Sequence, residues 1–371
     1  MRTEYFITLD THCRSSDACV KTTTGKLVKR ERLATTIPAL ADLVRSVKRP
    51  RHLCFEEGPL AGWLYRSLRD EVDEVIVCDP RRNAYIGKDG DKYDPIDAEK
   101  LNDLFRAGLI RQVHQTDCPT RAGFKQLVSA YHAAVRNRVA QANRLIALGK
   151  RWGLLWNTQM LLQADAVAHL QKQLTSAAAP SCVLTILEHS LAGVRQAVES
   201  EEALHAGLAK IAGKDELCRR LMALPGVREI RAATFVAYID TPFRFKSKEC
   251  LWKYCGIGLR RAKSGDGPEL LKVEQHANHR LRGVVIGAAE KAIEMIHNLW
   301  DRQRDPDSHS TAKETDDENI KPFAAKYGRW LQNGRSPANA RRNLARLFAT
   351  CAWAMWKTGE PFHPEWIDQA S

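Results

Sequence analysis

The sequence predicts an α/β N-terminal domain, a helical middle region with coiled-coil character and a mainly α C-terminal domain. Three observations lead to this fold class. Short apolar runs alternate with helical patterns over the first 110 or so residues, apolar residues then recur at helix spacing from about 120 to 215, and a Leu-Pro-Gly-Val break at 224–227 opens a third region. We therefore expect three domains, at residues 1–115, 116–215 and 216–371.

The N-terminal region contains five β-rich runs and three helical patterns. The first three runs are not separated by helices, and Thr23-Thr24-Gly25 between the second and the third is typical of a hairpin turn. The later strands alternate with amphipathic helices, the first of which opens at Pro38. Strands are expected at 5–10, 18–22, 26–33, 53–56 and 74–78, and the other two helices at 60–68 and 96–106. The order β-β-β-α-β-α-β-α is that of the ribonuclease-H-like fold.

The rest of the chain is expected to be mainly helical. An apolar stripe from Val183 to Ile211 has near-heptad spacing, which suits a helical hairpin or a dimerising coiled coil, and a plain bundle helix explains it equally well. Residues 301–320 are almost free of apolar side chains and are predicted to form a flexible insertion. Ser336 and Pro337 then provide an N-cap and the first turn of another helix.

The chain carries a large excess of positive charge. Its 371 residues include 57 Lys and Arg against 44 Asp and Glu, which gives a formal net charge of +13. Such a balance with clustered arginines is typical of nucleic-acid binding, and a solvated basic surface is the simpler alternative. The clusters lie at 136–144, 260–263, 280–282 and 341–346.

The remaining composition excludes several classes of protein. No apolar run approaches the ~20 residues that span a bilayer, and the N-terminus lacks the apolar core of a signal peptide, so we expect a cytoplasmic protein with no membrane partner. The ten cysteines form no Cys-x-x-Cys pair and are expected to be reduced, mostly buried thiols. His276 and His279 have no Cys pair nearby, so zinc is not expected. No phosphate-binding P-loop motif is present.

Four carboxylates occupy positions at which they could converge. Asp10 ends the first predicted strand and Glu56 ends the fourth. Asp94 and Asp97 share one face of the first turn of the third helix. Nucleases use such acids to hold Mg²⁺ or Mn²⁺ at a scissile phosphate. Helix capping explains each acid alone, but four in this order favour a metal site. Glu57 competes with Glu56, which is preferred because it directly follows the apolar run.

A single serine lies in a basic loop that contains glycines. Ser264 follows Arg260, Arg261 and Lys263 and precedes Gly265-Asp266-Gly267. Glycines let a backbone approach a phosphate closely, and cations stabilise charge there. An incidental serine in a flexible basic loop is the simpler interpretation of these residues alone. The preceding Leu-Pro-Gly turn and the helix after it are typical of a helix–hairpin–helix element that grips a DNA backbone.

A set of short motifs follows a specific order along nearly the whole chain. In the N-terminal half they are Leu9-Asp10, Phe55-Glu56-Glu57-Gly58 and Lys92-Tyr93-Asp94-Pro95-Ile96-Asp97-Ala98. In the C-terminal half they are Leu224-Pro225-Gly226-Val227, Tyr254-Cys255-Gly256, Ser264-Gly265, Asn278-His279-Arg280-Leu281-Arg282 and Ala288-Ala289. This set resembles the DEDD transposases of the "one-ten" insertion-sequence family, the bridge-RNA-guided DNA recombinases. The chain departs from the family pattern at Leu259, where proline is common, at Ala277-Asn278 in place of Gly-Asn, and in the length of the 301–320 segment.

The resemblance implies a RuvC-like N-terminal domain and a C-terminal transposase domain. Its acidic tetrad, binding Mg²⁺ or Mn²⁺, would be Asp10, Glu56, Asp94 and Asp97. Ser264 would be the nucleophile that forms a covalent serine–DNA intermediate. Donor DNA, target DNA and a structured noncoding guide RNA would be partners of a homo-oligomer, a dimer or tetramer associated with the nucleoid. Two rival functions stay open, namely a metal-dependent Holliday-junction-resolvase-like nuclease that uses water, and a non-catalytic nucleic-acid-binding protein.

Overall fold

The computed structural model describes residues 3–80, 94–262, 270–304 and 314–369. The chain divides into two compact units, Met1–Ala122 and Gly123–Ser371. The first unit is built on a mixed sheet, and the second is almost entirely helical. The predicted α/β N-terminal part and mainly α remainder are therefore confirmed. Among the described residues, no helix has the length and apolar character needed to cross a membrane.

The sheet of the first unit has five strands in the order β3-β2-β1-β4-β5. The first three strands pair antiparallel, whereas β4 runs parallel to β1 and β5 runs parallel to β4. The predicted order of strands and helices is confirmed. The elements are β1 Tyr5–Thr11, β2 Ser15–Thr22, β3 Leu27–Ala34, α1 Ile37–Ser46, β4 Arg51–Glu56, α2 Ala61–Leu68, β5 Glu74–Cys78 and α3 Asp94–Arg106.

Side chains alternate between the two faces of this sheet, and each face has its own helical cover. One face packs against α1 and α2 through fully buried residues that include Ile7, Leu9, Leu53 and Phe55. The other face carries Cys54 and Cys78, which pack with Leu101 and Phe105 of α3. Complete burial of each large apolar side chain contributes about 1.5–3 kcal/mol, so both faces stabilise the register of the sheet.

Polar contacts fix α3 on its face of the sheet. The Nζ of Lys21 lies 2.8 Å from Oδ1 of Asp103. Asn102 is fully buried, and its Nδ2 donates to the carbonyl oxygens of Phe6 at 2.8 Å and Cys19 at 3.1 Å. Because buried polar groups are costly without partners, these bonds hold the helix in one position on β1 and β2.

The second unit contains a long antiparallel hairpin formed by α7 (Ser181–Lys214) and by α4 (Pro119–Arg151), whose first residues belong to the first unit. The rings of Tyr131 and His205 lie 5.9 Å apart, and Nε of Arg138 lies 2.6 Å from Oε2 of Glu201, so residue numbers rise on one helix as they fall on the other. Between them in sequence come α5 (Thr158–Leu161) and α6 (Ala166–Ser176), which share a core with the end of the hairpin.

The apolar stripe of α7 is buried within the chain over much of its length. Val183, Leu187, Leu191 and Val194 belong to the hairpin core, and Leu208 belongs to the core of the C-terminal helices. Of the alternatives that the sequence left open, the structure shows the helical hairpin. The stripe by itself is therefore no argument for a dimer.

The C-terminal helices of the second unit surround α11 and share one core. Helices α9 and α13 both pack against α11, and α13 begins with the predicted Ser336 N-cap, whose Oγ accepts from the N–H of Asn339. The elements are α8 Glu216–Leu221, α9 Glu229–Ile239, α10 Lys248–Tyr254, β6 Leu259–Ala262, β7 Leu270–Val273, α11 His279–Arg304, α12 Glu314–Gln332, α13 Pro337–Thr358 and α14 Trp366–Gln369.

Both ends of the segment 301–320, which the sequence predicts to be a flexible insertion, are helical in the structure. Residues 301–304 complete α11, where Arg304 and Asp301 form an ion pair at 2.8 Å. Residues 314–320 begin α12, and Ile320 is buried against the C-terminal core. One well-placed apolar residue anchors a turn that is otherwise polar, which overall composition does not reveal. Residues 305–313 lie outside the described residues.

Candidate active site

Asp10 and Glu56 lie side by side at the carboxyl ends of neighbouring parallel strands. They directly follow Leu9 and Phe55, whose Cα atoms are partners in the β1–β4 register. Neighbouring strands lie about 4.8 Å apart, so these carboxylates share one edge of the sheet. Because Leu9 and Phe55 are buried on the α1–α2 face, strand alternation directs Asp10 and Glu56 to the face that α3 covers.

The first turn of α3 lies at this same edge of the sheet. The Oγ1 of Thr8 donates to the carbonyl oxygen of Ala98 at 2.7 Å, while Asn102, one turn later, bonds further back along β1 at Phe6. The helix therefore starts at the carboxyl end of β1 and runs toward its amino end. Asp97, half-buried and next to Ala98, is held near the end of β1. Asp94 begins the helix, and its side chain lies outside the described residues.

The strand geometry favours Glu56 over Glu57 as the second acid. Glu56 is the last residue of β4, is half-buried and pairs in register with Cys78. Glu57 is exposed, and its backbone N–H donates to the carbonyl oxygen of Cys78 at 2.8 Å. Glu56 shares its face with Cys54, which packs beneath α3. Of the two glutamates, Glu56 therefore lies on the face of the sheet that carries Asp10 and that α3 covers.

Asp17 is a fifth acid at this edge that the sequence interpretation missed. It is the direct cross-strand partner of Asp10 in the β1–β2 ladder. The predicted second strand began only at residue 18, so Asp17 fell outside it. Counting the pairing of β1 and β2 outward from the short connection between Thr11 and Ser15 places the two acids opposite each other.

The donor chemistry of this edge suits a hard divalent cation. Carboxylate oxygens are the ligands that Mg²⁺ and Mn²⁺ prefer, and Mg²⁺ commonly binds through one or two carboxylates while it keeps several waters. Asp10 retains 26% side-chain exposure, so solvent reaches its carboxylate, and its Oδ2 lies 3.4 Å from Nε2 of His12. Within the described ranges, no three His, Cys, Asp or Glu side chains are close enough together to hold a metal by themselves. The side chain of Asp94 lies outside the described residues and is not among those side chains.

The second unit carries a basic cavity of about 300 Å³ where α11 and α13 begin. The N-termini of helices add partial positive charge to that of the side chains. Arg341 lies 2.7 Å from Oε1 of Glu290, and Arg342 donates to Oδ1 of Asn339 at 3.1 Å. The cavity wall includes Gly256, Ile257, His279, Arg282, Arg341 and Arg342.

Positive charge is in excess around this cavity. Arg346 donates from Nε to the carbonyl oxygen of Ile257 at 2.9 Å. Burial lowers the pKa of the Arg346 guanidinium, and the positive charges of Arg342 and Arg335 lower it further. Ile257 lies two residues before β6, the strand that leads toward Ser264. Ser264 itself lies outside the described residues.

Two of the C-terminal motifs meet beside the cavity. The N–H of Asn278 donates to the carbonyl oxygen of Tyr254 at 2.8 Å, and its Oδ1 accepts from the N–H groups of Arg280 and Leu281, each at 3.1 Å. The side chain of Asn278 therefore caps α11 and ties its start to the end of α10. These residues position the arginines of the cavity.

Comparisons with known proteins agree with this arrangement. The model of the IS110-type DEDD transposases, described as "Transposase", matches residues 7–150. The model described as "Transposase IS116/IS110/IS902 family" matches residues 218–304. The curated protein "Putative transposase y4qE" of Sinorhizobium fredii (strain NBRC 101917 / NGR234) is 26% identical over 238 residues. That alignment covers 64% of this chain. The chain matches only 57% of the relative's own length.

The two family models match successive parts of the chain in the order that the motifs predict. The first covers the strands and the helix that carry Asp10, Glu56 and Asp97, and the second covers α11, which lines one side of the basic cavity, but not α13. The resemblance drawn from the sequence is therefore confirmed, and the chain belongs to the DEDD-type transposases of the IS110 family.

Proposed function

We propose that this protein is an RNA-guided DNA recombinase that cleaves and rejoins strands through a covalent serine–DNA intermediate. The observation that carries the proposal is the placement of Asp10, Glu56 and Asp97 at one edge and on one face of the sheet of the first unit. This is where a RuvC-like domain needs its carboxylates. The family to which the chain belongs supports action on DNA.

The acids would hold Mg²⁺ or Mn²⁺. When bound there, such a cation would supply positive charge at the scissile phosphate and at its leaving oxygen. Asp10 and Glu56 are fixed by the ladder of paired strands, and Asp97 is fixed by α3, so none of the three has to be ordered when DNA binds. Asp94 completes the tetrad by its place in the Lys-x-Asp-x-x-Asp-Ala motif. The rigid scaffold is the contribution of the first unit.

Ser264 would act as the nucleophile. Its hydroxyl loses a proton to solvent, its Oγ forms a bond to phosphorus, and the bond from phosphorus to the DNA hydroxyl breaks as that hydroxyl leaves with a proton. The phosphodiester count is conserved, so attack by a different DNA hydroxyl rejoins strands without ATP. Arg260, Arg261 and Lys263 are the charges that the sequence places nearest to the serine.

The basic cavity of the second unit would bind phosphates of the nucleic-acid backbone. Arg282, Arg342 and His279 line it, and the N-terminus of α11 opens into it. Helix N-termini and arginines bind phosphate oxygens without reading sequence, so the cavity contributes affinity and position. Specificity would come from base pairing between a structured noncoding RNA and the donor and target DNA.

Strand exchange requires two cleaved duplexes to be held together, so we propose that the protein acts as a homo-oligomer on DNA in the cytoplasm. The oligomer would have to be built on surfaces other than the buried positions of the α7 stripe. Sedimentation of the protein with and without RNA and DNA measures this. A monomer in the fully assembled, active complex contradicts it.

The deciding experiment compares three proteins on DNA that carries the junction of the element, with its noncoding RNA and Mg²⁺. Wild type should give a covalent protein–DNA adduct that survives denaturation. Ser264→Ala should give neither adduct nor cleavage, and Asp97→Asn should bind DNA without cleaving it. If Ser264→Ala still cleaves, the protein is a hydrolytic nuclease of the resolvase type. If wild type never cleaves under these conditions, the protein is a nucleic-acid-binding protein.

The guide role has its own test. Affinity for the element's noncoding RNA should exceed affinity for a scrambled RNA of equal length at physiological salt. A charge of +13 alone predicts salt-sensitive binding to both. Equal affinities for the two RNAs would remove the guide RNA from the proposal and leave the serine chemistry standing.

A further inference from the structure

The row of acids in the first unit extends one strand further than the tetrad. Asp17 of β2 is the register partner of Asp10 on β1, and the two side chains project from the same face because they form a cross-strand pair. The cross-strand order is Asp17 on β2, Asp10 on β1 and Glu56 on β4. Three carboxylates thus cross the sheet in one line.

Asp17 has too few polar partners to offset the free-energy cost of burying its carboxylate. Its side chain is only 6% exposed, and its Oδ2 has no hydrogen-bond donor among the described residues. The cation nearest to Oδ2 is Nε of Arg32 on β3, at 3.9 Å, and the Arg32 side chain is 60% exposed. A distant pair with an exposed arginine compensates a buried carboxylate only weakly.

Asp10, the register partner of Asp17 on β1, makes the burial of Asp17 still less favourable. Carboxylates directly opposite each other in a ladder repel, with Cβ atoms about 4.5–5.5 Å apart. A bound cation at Asp10 would reverse the sign of that interaction. Its hydrating waters would also supply the donors that Oδ2 of Asp17 lacks.

We propose that Asp17 is a positioning residue that accepts hydrogen bonds from the water shell of a divalent cation bound at Asp10. This rests on the proposed function in so far as it requires a cation at Asp10. Mg²⁺ and Mn²⁺ fit because they retain several waters when one or two carboxylates bind them. Asp17 need not touch the ion, which agrees with the spacing of the described acids.

The alternative is that Asp17 serves only to pair with Arg32. The two explanations predict different effects of removing Arg32 on cation binding. If Asp17 faces a hydrated cation, the positive charge of Arg32 competes with that ion, and its removal strengthens cation binding. If Asp17 is only the partner of Arg32, the substitutions Asp17→Asn and Arg32→Gln alter stability and leave cation binding unchanged.

The experiment titrates the full-length protein with Mn²⁺ at pH 7.5 and measures free Mn²⁺ by electron paramagnetic resonance, with no DNA present. Loss of an outer-shell partner typically weakens metal binding about 10–100-fold, and we expect that loss for Asp17→Asn. Arg32→Gln should bind Mn²⁺ severalfold more tightly than wild type, and Asp10→Ala should not bind it at this site.

The outcomes separate the two proposals. If wild type binds Mn²⁺ no better than Asp10→Ala, the cation at Asp10 is absent and both proposals fail. If wild type binds through Asp10 but Asp17→Asn binds equally well, only the role of Asp17 is overturned. Thermal unfolding controls for misfolding. Asp17→Asn should be at least as stable as wild type without Mn²⁺ and should gain less from added Mn²⁺, because a buried repulsive charge has been removed.

Discussion

The hydroxyl of Thr8 on β1 donates a hydrogen bond of 2.7 Å to the carbonyl oxygen of Ala98 on α3. This buried contact joins two segments 90 residues apart in sequence. It fixes the first turn of α3 at the end of the strand that carries Asp10. The placement of Asp97 beside the strand-end acids therefore depends on a residue that is itself neither acidic nor exposed.

Replacing Thr8 by valine should destabilise the first unit. Valine has nearly the same shape but cannot donate to Ala98 or accept from Asn102, whose Nδ2 lies 3.3 Å from Oγ1 of Thr8. Each such bond contributes about 0.5–1.5 kcal/mol, so we expect a loss of about 1–2 kcal/mol in the free energy of unfolding, measured with urea. Thr8→Ser is the control, and it should retain most of the stability because it keeps the hydroxyl. A Thr8→Val variant as stable as wild type would show that the two hydroxyl bonds contribute nothing.

Gly226 in the Leu-Pro-Gly turn should not tolerate a side chain. Its φ is +73°, and a Cβ at this position would lie 2.5 Å from the carbonyl oxygen of Ala288 on α11. Left-handed backbone costs a non-glycine residue about 1–2 kcal/mol and overpacking adds about 1–3, so Gly226→Ala should lose about 2–5 kcal/mol in urea unfolding.

The matched control for that prediction is Gly207→Ala. Gly207 lies inside α7, and a Cβ there would meet no atom within 4 Å. Alanine should stabilise the helix by up to about 1 kcal/mol. If both variants lose stability alike, the contact of the turn with α11 is not the cause. The turn therefore packs closely against α11 in the C-terminal core, and it also separates two helices.

Most strands and helices of the first unit can be predicted from the sequence because neighbouring residues determine where they begin and end. The strand Glu74–Cys78 is predicted to the residue, since an apolar run ends at Asp79-Pro80. The hairpin turn at Thr23-Thr24-Gly25 is confirmed, with Gly25 at a φ of +86°. Helix and strand ends that lack such signals, as at Ser15, are found only in the structure.

Relationships between distant segments are less accessible from the sequence. The α7 stripe is compatible with a partner helix in the same chain or in another one, because apolar spacing does not specify which surface covers it. The structure supplies α4 through contacts such as Arg138 with Glu201. Asp17 was missed for a related reason, since its importance comes from its register with Asp10 and not from its neighbours in sequence.

Acid should destabilise the second unit through His132. Its Nε2 lies 2.9 Å from Oγ1 of Thr234. Burial lowers the pKa of His132, and the positive charges of Arg280 and Arg136 lower it further. The unfolded chain therefore takes up this proton first as pH falls below the ordinary histidine pKa of about 6.5, and stability falls until the folded-state pKa is passed. Well above pH 6.5 the histidine is neutral in both states and adds no pH dependence, given the ordinary histidine pKa of about 6.5.

The comparison that isolates this effect is urea unfolding of wild type and His132→Gln at pH 7.5 and pH 5.0. Glutamine keeps a polar group toward Thr234 but does not titrate. We expect the free energy of unfolding to fall less with acid in the variant than in wild type. Identical pH dependence of the two proteins would show that another group is responsible.

Thiol reactivity should follow burial. Burial raises the pKa of Cys255 and of Cys351 to about 12, whereas Cys182 and Cys250 are exposed. Against an ordinary thiol pKa of about 8.5, the buried pair has a thiolate fraction smaller by more than a factor of about 1,000 at neutral pH. Iodoacetamide and peptide mass spectrometry should show the exposed pair modified first and the buried pair only after unfolding. Modification of all four at one rate in the native protein would contradict the packing of the C-terminal core.

The basic cavity makes a quantitative prediction about salt. If Arg282 contacts a backbone phosphate of duplex DNA, Arg282→Gln removes one such contact, and the slope of the logarithm of affinity against the logarithm of salt concentration should become shallower by about 0.9. The loss should be similar for unrelated DNA sequences, because phosphate contacts do not read bases. Arg195→Gln on α7 is the control, since Arg195 is also exposed and cationic but does not line the cavity. Its slope should match that of wild type. Equal changes in the two variants would mean that the protein attracts DNA by its total charge, and the cavity would lose its role as a phosphate site.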